Sequence, residues 1–236
     1  MSDNAALPPE IDLDSLFHGK SLFDSIETLE EAGFQIVRGS TKGRVAVFGH
    51  RSLPGYLFKK FLRDANRPYK KQLASYETRV GGAHALKAHL DGLSIDSIVV
   101  PRKWLCELPR RFRHDGRHQY VVVVDKYDLL ERDETKQRYR AIPRDTIRDL
   151  CTIFFTFKRV DFAVRNMPFT PQGKIAFIDT GYMSRITEGS SFRRKNYKKY
   201  VEKLPTDESQ RYAMYLLDEF QKRGDLLRRL HAQVSK

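Results

Sequence analysis

Two carboxylates and an amide stand at short intervals in the second half of this 236-residue chain. Asp161 is followed five residues later by Asn166, and Asp179 comes thirteen residues after that. Phosphoryl transfer uses these side chains, since one carboxylate can orient or deprotonate an attacking hydroxyl. An amide oxygen and a second carboxylate can hold Mg²⁺ against the phosphates. The alternative is structural: an acid in a turn, a turn amide and an acid at a strand end.

The residues between Asn166 and Asp179 have the pattern of a β-hairpin. Residues 167–170 predict one strand, residues 171–173 (Pro-Gln-Gly) the turn, and residues 174–178 the returning strand. A hairpin of this kind would bring Asn166 and Asp179 back to the same end.

This combination resembles the catalytic loop and metal-binding segment of the protein-kinase-like superfamily, which includes small-molecule kinases related to aminoglycoside phosphotransferases. Residues 159–161 (Arg-Val-Asp) stand where protein kinases have His-Arg-Asp, and residues 179–181 (Asp-Thr-Gly) stand where they have Asp-Phe-Gly. The resemblance implies Asp161 as the catalytic residue and Asn166 and Asp179 as Mg²⁺ ligands, with ATP as the phosphate donor. It also implies a two-lobed α+β fold, with an antiparallel N-lobe sheet carrying one main helix and a reduced, mostly helical C-lobe.

Three features depart from the protein-kinase pattern. Ala163 occupies the position where many protein kinases have a lysine, two residues after the catalytic acid, and Thr180 replaces the phenylalanine. After Gly181 there is no Ala-Pro-Glu and no long activation segment. The acceptor is therefore left open, with a non-peptide acceptor or a restricted protein target favoured. A pseudokinase, or a scaffold that responds to nucleotide, is the alternative function.

Three short apolar segments separated by turns predict an antiparallel meander in the first third of the chain. They are residues 34–37, 44–48 and 56–61. The kinase resemblance implies that the first turn of this meander covers the phosphates. It also implies that Gly43 and Val45 contact the nucleotide at the end of a glycine-rich loop. Arg38 and Ser40 occupy the other glycine positions of that loop.

Adjacent lysines end the third segment of the meander. Successive side chains of a strand face opposite sides, so only one of the two lysines can face a nucleotide. The resemblance implies Lys59 as the phosphate-binding lysine, with Lys60 as the alternative, and Glu77 as its partner.

Glu77 falls in a helix predicted over residues 70–90. Paired glycines at positions 81–82 weaken a helix by about 1 kcal/mol each, so a kinked or late-starting helix is the alternative. Glu77 could equally be a solvated acid on that helix, and Arg79 could serve instead as a phosphate or carboxylate contact.

Four consecutive valines end a strand predicted over residues 119–124, a pattern typical of burial on both faces. The resemblance implies that this strand leads into a hinge whose backbone near Asp125 and Tyr127 binds the adenine edge. Residues 101–109 are expected to be a loop or helical turn, and residues 131–142 a charged connector. A helix opening at Pro143 would deliver the chain into Asp161.

The expected organisation is a flexible lead-in (residues 1–19), an N-lobe (20–125) and a C-lobe (126–236). The net charge of +13 favours phosphate-rich partners such as nucleotides, nucleic acid or an anionic membrane. Basic stretches at 110–118 and 193–203 make a nucleic-acid-binding protein the third hypothesis, although neither interleaves aromatic residues in a stacking pattern.

Two cysteines without metal or disulfide spacing favour a reducing compartment. No secretory signal and no apolar run long enough for a bilayer is present. The expected location is the cytoplasm, or a host cytosol after delivery.

Overall fold

The structure of the protein is a computed structural model. It describes residues 7–8, 10–18, 22–38, 45–62, 69–109, 112, 120–158, 160, 163–181, 183–185, 201–202, 207, 210–216, 218–219 and 222. Two of the predicted site residues, Gly43 and Asp161, lie outside these ranges, as does most of each basic stretch.

The helices and strands of the described residues follow one another in mixed order along the chain. The bounded helices are α1 (Leu13–Leu16), α2 (Ile26–Glu31), α3 (Tyr69–Gly92), α4 (Arg132–Arg140) and α5 (Arg144–Thr156), and residues 210–216 are also helical. The strands are β1 (Phe34–Arg38), β2 (Ala46–His50), β3 (Tyr56–Lys60), β4 (Ile98–Val99), β5 (Lys103–Glu107), β6 (Tyr120–Asp125), β7 (Phe157–Lys158), β8 (Ile175–Ala176) and β9 (Ser184–Arg185).

These elements divide between two compact units. The first contains Met1–His84 and Pro101–Tyr127, and the second contains Ala85–Val100 and Asp128–Lys236. The lobe boundary expected between residues 125 and 126 lies near the division after Tyr127. Residues 85–100, which were expected in the N-lobe, belong to the second unit.

The first unit is built on a five-stranded antiparallel sheet with the order β1-β2-β3-β6-β5. The α+β class expected from the sequence is confirmed at this level. The expectation of a loop over residues 101–109 was wrong, because Lys103–Glu107 pairs along its whole length with β6. Trp104 of this strand is a buried core residue.

One face of this sheet is covered by the N-terminal segment, which was expected to be a loose lead-in. Ile11 and Phe17 are 6% and 0% exposed, and they join a core that includes Phe34, Phe48 and Phe58. The ring of Phe17 lies 5.7 Å from that of Phe34 and 5.4 Å from that of Phe58. No amphipathic pattern is visible in this segment because α1 has only four residues.

Residues of α3 cover the other face of the sheet. Tyr76 and Val80 pack against Phe61, Val122 and Val124. The Phe61 N–H also donates to the Tyr76 hydroxyl at 2.7 Å. Thus alternate valines of β6 enter the two cores, which explains the burial of all four.

Helix α3 runs without a break through both central glycines. The kinked or late-starting helix considered from the sequence is therefore absent. A Cβ added at Gly81 would meet nothing within 4 Å. The glycine pair thus weakens α3 without ending it, since packing of its apolar residues supplies most of a helix's stability.

The second unit contains α4, where the sequence predicted only a charged connector. Thr135 and Tyr139 lie one turn apart on its buried side. At its start, Glu134 accepts a hydrogen bond from the Glu131 N–H at 3.2 Å. Helix α5 follows, as expected, and buries Ile147 and Leu150 among others. None of the helices in the described ranges combines the length and apolar character that crossing a bilayer would need.

Candidate functional site

The predicted hairpin after Asn166 is present. The Thr170 N–H donates to the Lys174 carbonyl at 2.8 Å and the Ala176 N–H to the Pro168 carbonyl at 2.8 Å. The next bond of the ladder joins the Ile178 N–H to the Asn166 carbonyl at 3.1 Å. Asn166 therefore lies opposite the residue that precedes Asp179, and the amide and the acid come to the same end of the hairpin.

The returning strand of the hairpin is also held on its second edge. Strand β8 pairs in parallel with β4, and the Phe177 N–H donates to the Val99 carbonyl at 2.9 Å. Upstream of β4, the Ser97 hydroxyl donates to the Asp149 carboxylate of α5 at 2.7 Å. The backbone that leads to Asp179 is thus fixed on both sides before it leaves the strand.

Asn166 ends a single 3₁₀ turn, Val164–Asn166. Its N–H donates to the Ala163 carbonyl at 2.7 Å, and the residue is 4% exposed. Its carbonyl is occupied by Ile178, so the backbone is held by two bonds. This turn, rather than a strand, sets the backbone of Asn166 at the end of the hairpin.

Asp179 adopts a short turn of its own. Its Oδ1 accepts a hydrogen bond from the Gly181 N–H at 3.0 Å, which fixes the carboxylate relative to the backbone. The following residue, Thr180, is fully buried. A carboxamide oxygen and a carboxylate are hard donors of the kind that Mg²⁺ prefers, so this pair suits that ion.

The described residues contain no group of three or more His, Cys, Asp and Glu side chains arranged for a metal. The expected ligand set is of another kind, because one of its members is an amide. Asp161, the acid predicted to act beside it, lies outside the described residues.

The adjacent lysines of β3, in the first unit, face opposite sides of the sheet, as the strand period predicts. Lys59 pairs with Val122 of β6, whose side chain belongs to the core covered by α3. Lys60 is fully buried on the other side, where its Nζ donates to the Tyr120 carbonyl at 2.9 Å and lies 5.3 Å from the centre of the Phe23 ring. Only Lys59 therefore shares the α3 face.

Glu77 is an exposed residue in the continuous part of α3. No ion pair joins it to Lys59 among the contacts of the described residues. Arg79, the alternative contact, hydrogen bonds the Ser75 carbonyl within the same helix at 3.1 Å.

The predicted adenine segment begins at a tight pair of residues. Arg102 binds the Asp125 carboxylate through Nε at 2.7 Å and Nη2 at 3.3 Å. In return the Asp125 N–H donates to the Arg102 carbonyl at 3.1 Å. This N–H is therefore occupied, so an adenine contact at Asp125 would have to use its carbonyl. Tyr127 is 36% exposed, and Val45 packs at the margin of the α3-side core.

Three further residues, which no sequence pattern singles out, lie in or beside these segments. Arg102, which stacks on Trp104 at 5.2 Å from the ring centre, fixes the end of β6; the hydrogen bond to Asp125 raises the pKa of its guanidinium. Lys103 pairs with Val124 and is fully buried. Tyr139 of α4 contacts the hairpin. A strand prediction over residues 103–107 would have drawn attention to Lys103, its first residue, and to Arg102 directly before it.

Comparison of the sequence with protein-family models and curated proteins identifies no relative. No protein-family model matches the chain, and no curated protein is significantly similar to it.

Proposed function

We propose that the protein is an ATP- and Mg²⁺-dependent phosphotransferase with a two-lobed protein-kinase-like fold. The observation that carries the proposal is the hydrogen bond from the Ile178 N–H to the Asn166 carbonyl at 3.1 Å. It closes a hairpin that brings Asn166 and Asp179 to one end, and their separation along the sequence is the one that the kinase resemblance implies for the metal ligands.

The first unit supports the same proposal. It has an antiparallel sheet with residues 69–84 of α3 in the same unit and the buried side chains of that helix on one face, as expected of a nucleotide-binding N-lobe. Lys59 lies on that face and would bind the phosphates, although among the described residues Glu77 of α3 makes no ion pair with it. The end of β6, from Asp125 to Tyr127, would receive the adenine.

In the proposed reaction an acceptor hydroxyl loses its proton to Asp161 while its oxygen attacks the γ-phosphorus of ATP. The bond from that phosphorus to the β,γ-bridging oxygen breaks, and ADP leaves. Asn166 and Asp179 would hold Mg²⁺, which neutralises phosphate charge when bound. The residues themselves contribute mainly orientation, which the bonds around Asn166 and Asp179 fix in advance.

The decisive experiment incubates the protein with γ-labelled ATP and Mg²⁺ and measures autophosphorylation and ATP hydrolysis. Asp179→Ala should lower turnover at least about a hundredfold, because the metal site loses its charged ligand. Asp145→Ala is the matched control: this acid is also in the second unit, but its side chain is 80% exposed at the start of α5. Its activity should match that of the wild type.

Other outcomes would favour the other hypotheses. Thermal stabilisation by ATP and Mg²⁺ without transfer or hydrolysis would indicate a nucleotide-responsive scaffold. Salt-sensitive binding of RNA or DNA that Asp179→Ala leaves unchanged, without ATP binding, would indicate a nucleic-acid-binding protein. Turnover that survives in Asp179→Ala would overturn the proposed metal site.

A further inference from the structure

Helix α4 is bonded to the first strand of the hairpin. The Tyr139 hydroxyl donates to the Met167 carbonyl at 2.8 Å, directly after Asn166. The Tyr139 ring also packs edge-to-face on Phe169, with ring centres 4.9 Å apart. Tyr139 is 6% exposed, so water does not compete freely for this hydrogen bond.

A second hydroxyl of α4 reaches the same strand. Thr135 Oγ1 accepts a hydrogen bond from the Phe169 N–H at 3.4 Å and donates to the Leu130 carbonyl at 3.3 Å. The Leu130 N–H in turn donates to the Phe169 carbonyl at 2.8 Å. Thr135 is 1% exposed. Both backbone groups of Phe169 are therefore bound by α4 and the residues just before it.

The two edges of this strand thus have different partners. The carbonyls of Asn166 and Pro168 bond the returning strand of the hairpin, whereas those of Met167 and Phe169 bond the side of α4. This division follows from the alternation of carbonyls along a strand. The strand cannot slide or twist at Asn166 without breaking bonds on both edges.

We propose that Tyr139 and Thr135 are positioning residues for Asn166, which they hold in the geometry needed for metal binding through the backbone of residues 167–169. This inference rests on the proposed function, because it assigns the metal to Asn166 and Asp179. Removing a residue that holds a metal ligand in place, without itself binding the metal, commonly weakens metal affinity by about 10–100-fold.

A purely structural role would stabilise the unit without affecting the metal. The two roles are separated by Tyr139→Phe, which keeps the ring packed on Phe169 and removes only the donor to Met167. Thr135→Val removes the second hydroxyl at nearly constant volume and provides an independent variant. Ile147→Val is the matched control, because Ile147 is 1% exposed in α5 and its loss of a methyl group should lower Tm by about 2–4 °C.

The test titrates Mn²⁺ into the full chain in the presence of a non-hydrolysable ATP analogue and follows the metal by electron paramagnetic resonance. We expect Tyr139→Phe to weaken Mn²⁺ binding about tenfold and Ile147→Val to leave it unchanged. Amide exchange at Ile178 should also be faster in Tyr139→Phe. In the activity assay, the Mg²⁺ concentration for half-maximal turnover should rise more than the KM for ATP.

Failure of this inference is distinguishable from failure of the proposed function. If Asn166→Ala weakens Mn²⁺ binding while Tyr139→Phe and Thr135→Val bind as the wild type does, the positioning role is wrong and the metal site stands. If Asn166→Ala also binds as the wild type does, or the wild type binds no Mn²⁺, both are overturned.

Discussion

At the scale of single residues, the two lysines of β3 provide a direct test of the nucleotide site. Lys59 lies on the α3 face, whereas Lys60 is buried and hydrogen bonded to the Tyr120 carbonyl. Lys59→Met should weaken ATP binding at least tenfold, a loss of about 1.4 kcal/mol, with little change in Tm. Lys60→Met should leave ATP affinity unchanged and alter Tm, because it removes a buried donor. Calorimetric titration and thermal denaturation measure the two effects, and the reverse pattern would exclude Lys59.

The sequence predicted those site residues whose neighbours are local. Asn166 and Asp179 are joined by a tight hairpin with Pro171 and Gly173 in its turn, so their proximity followed from turn chemistry. Tyr139 could not be assigned in this way, since its partner Met167 is 28 residues away. Nor does spacing alone show whether Glu77 meets Lys59, because that depends on how α3 is rotated on the sheet.

At the scale of elements, replacing glycine by alanine should change the free energy of unfolding in opposite directions at Gly81 and Gly173. Gly81→Ala should stabilise the protein by about 0.5–1 kcal/mol, because alanine is the better helix former and open space surrounds the added methyl group. Gly173→Ala should destabilise it by roughly 1 kcal/mol, because Gly173 has φ +81° in the hairpin turn. Denaturant unfolding measures both. A loss of stability in Gly81→Ala would contradict the open environment on α3.

Helix α4 and strand β5 were not predicted from the sequence, because their hydrophobic periodicity is weak. Helix α4 has little apolar surface, yet Glu131 and Glu134 stand at capping-box spacing and its last turn carries Arg138 and Arg140. Strand β5 begins with a lysine and follows a proline, and its pairing with β6 is long-range. By contrast, β6 and α5 were predicted because their apolar patterns are strong enough to dominate locally.

At the scale of the whole molecule, each unit contains one buried thiol. Cys106 is 8% exposed and Cys151 is fully buried, and both are free thiols. Burial raises the pKa of each to about 12 from an ordinary value near 9. A disulfide reagent at pH 8 should therefore label neither cysteine in the native protein and both in denaturant. Rapid native labelling of either would show that its unit opens readily.

The raised pKa of these thiols also fixes the sign of a pH effect. Folding keeps both thiols protonated, so their contribution to stability is complete below about pH 9. It is lost as the pH rises from 9 towards 12, because the unfolded chain can then form thiolates. Cys106→Ala and Cys151→Ala should each flatten the fall in stability over this range.

The N-terminal segment, residues 10–18, packs on the aromatic core of the first unit. Substitution of its buried ring tests whether that core is stable without the segment. Phe17 is fully buried and contacts four other phenylalanine rings. Phe17→Ala should therefore lower the free energy of unfolding by about 3–5 kcal/mol. Val37→Ala, at a site that is 61% exposed, should stay within about 0.5 kcal/mol of the wild type.

The chain has one tryptophan, Trp104, and it lies in the same core, so its fluorescence reports unfolding of the first unit alone. If Phe17→Ala unfolded at the wild-type denaturant concentration, the segment would be the loose lead-in expected from its sequence. The core would then be closed by the sheet and α2.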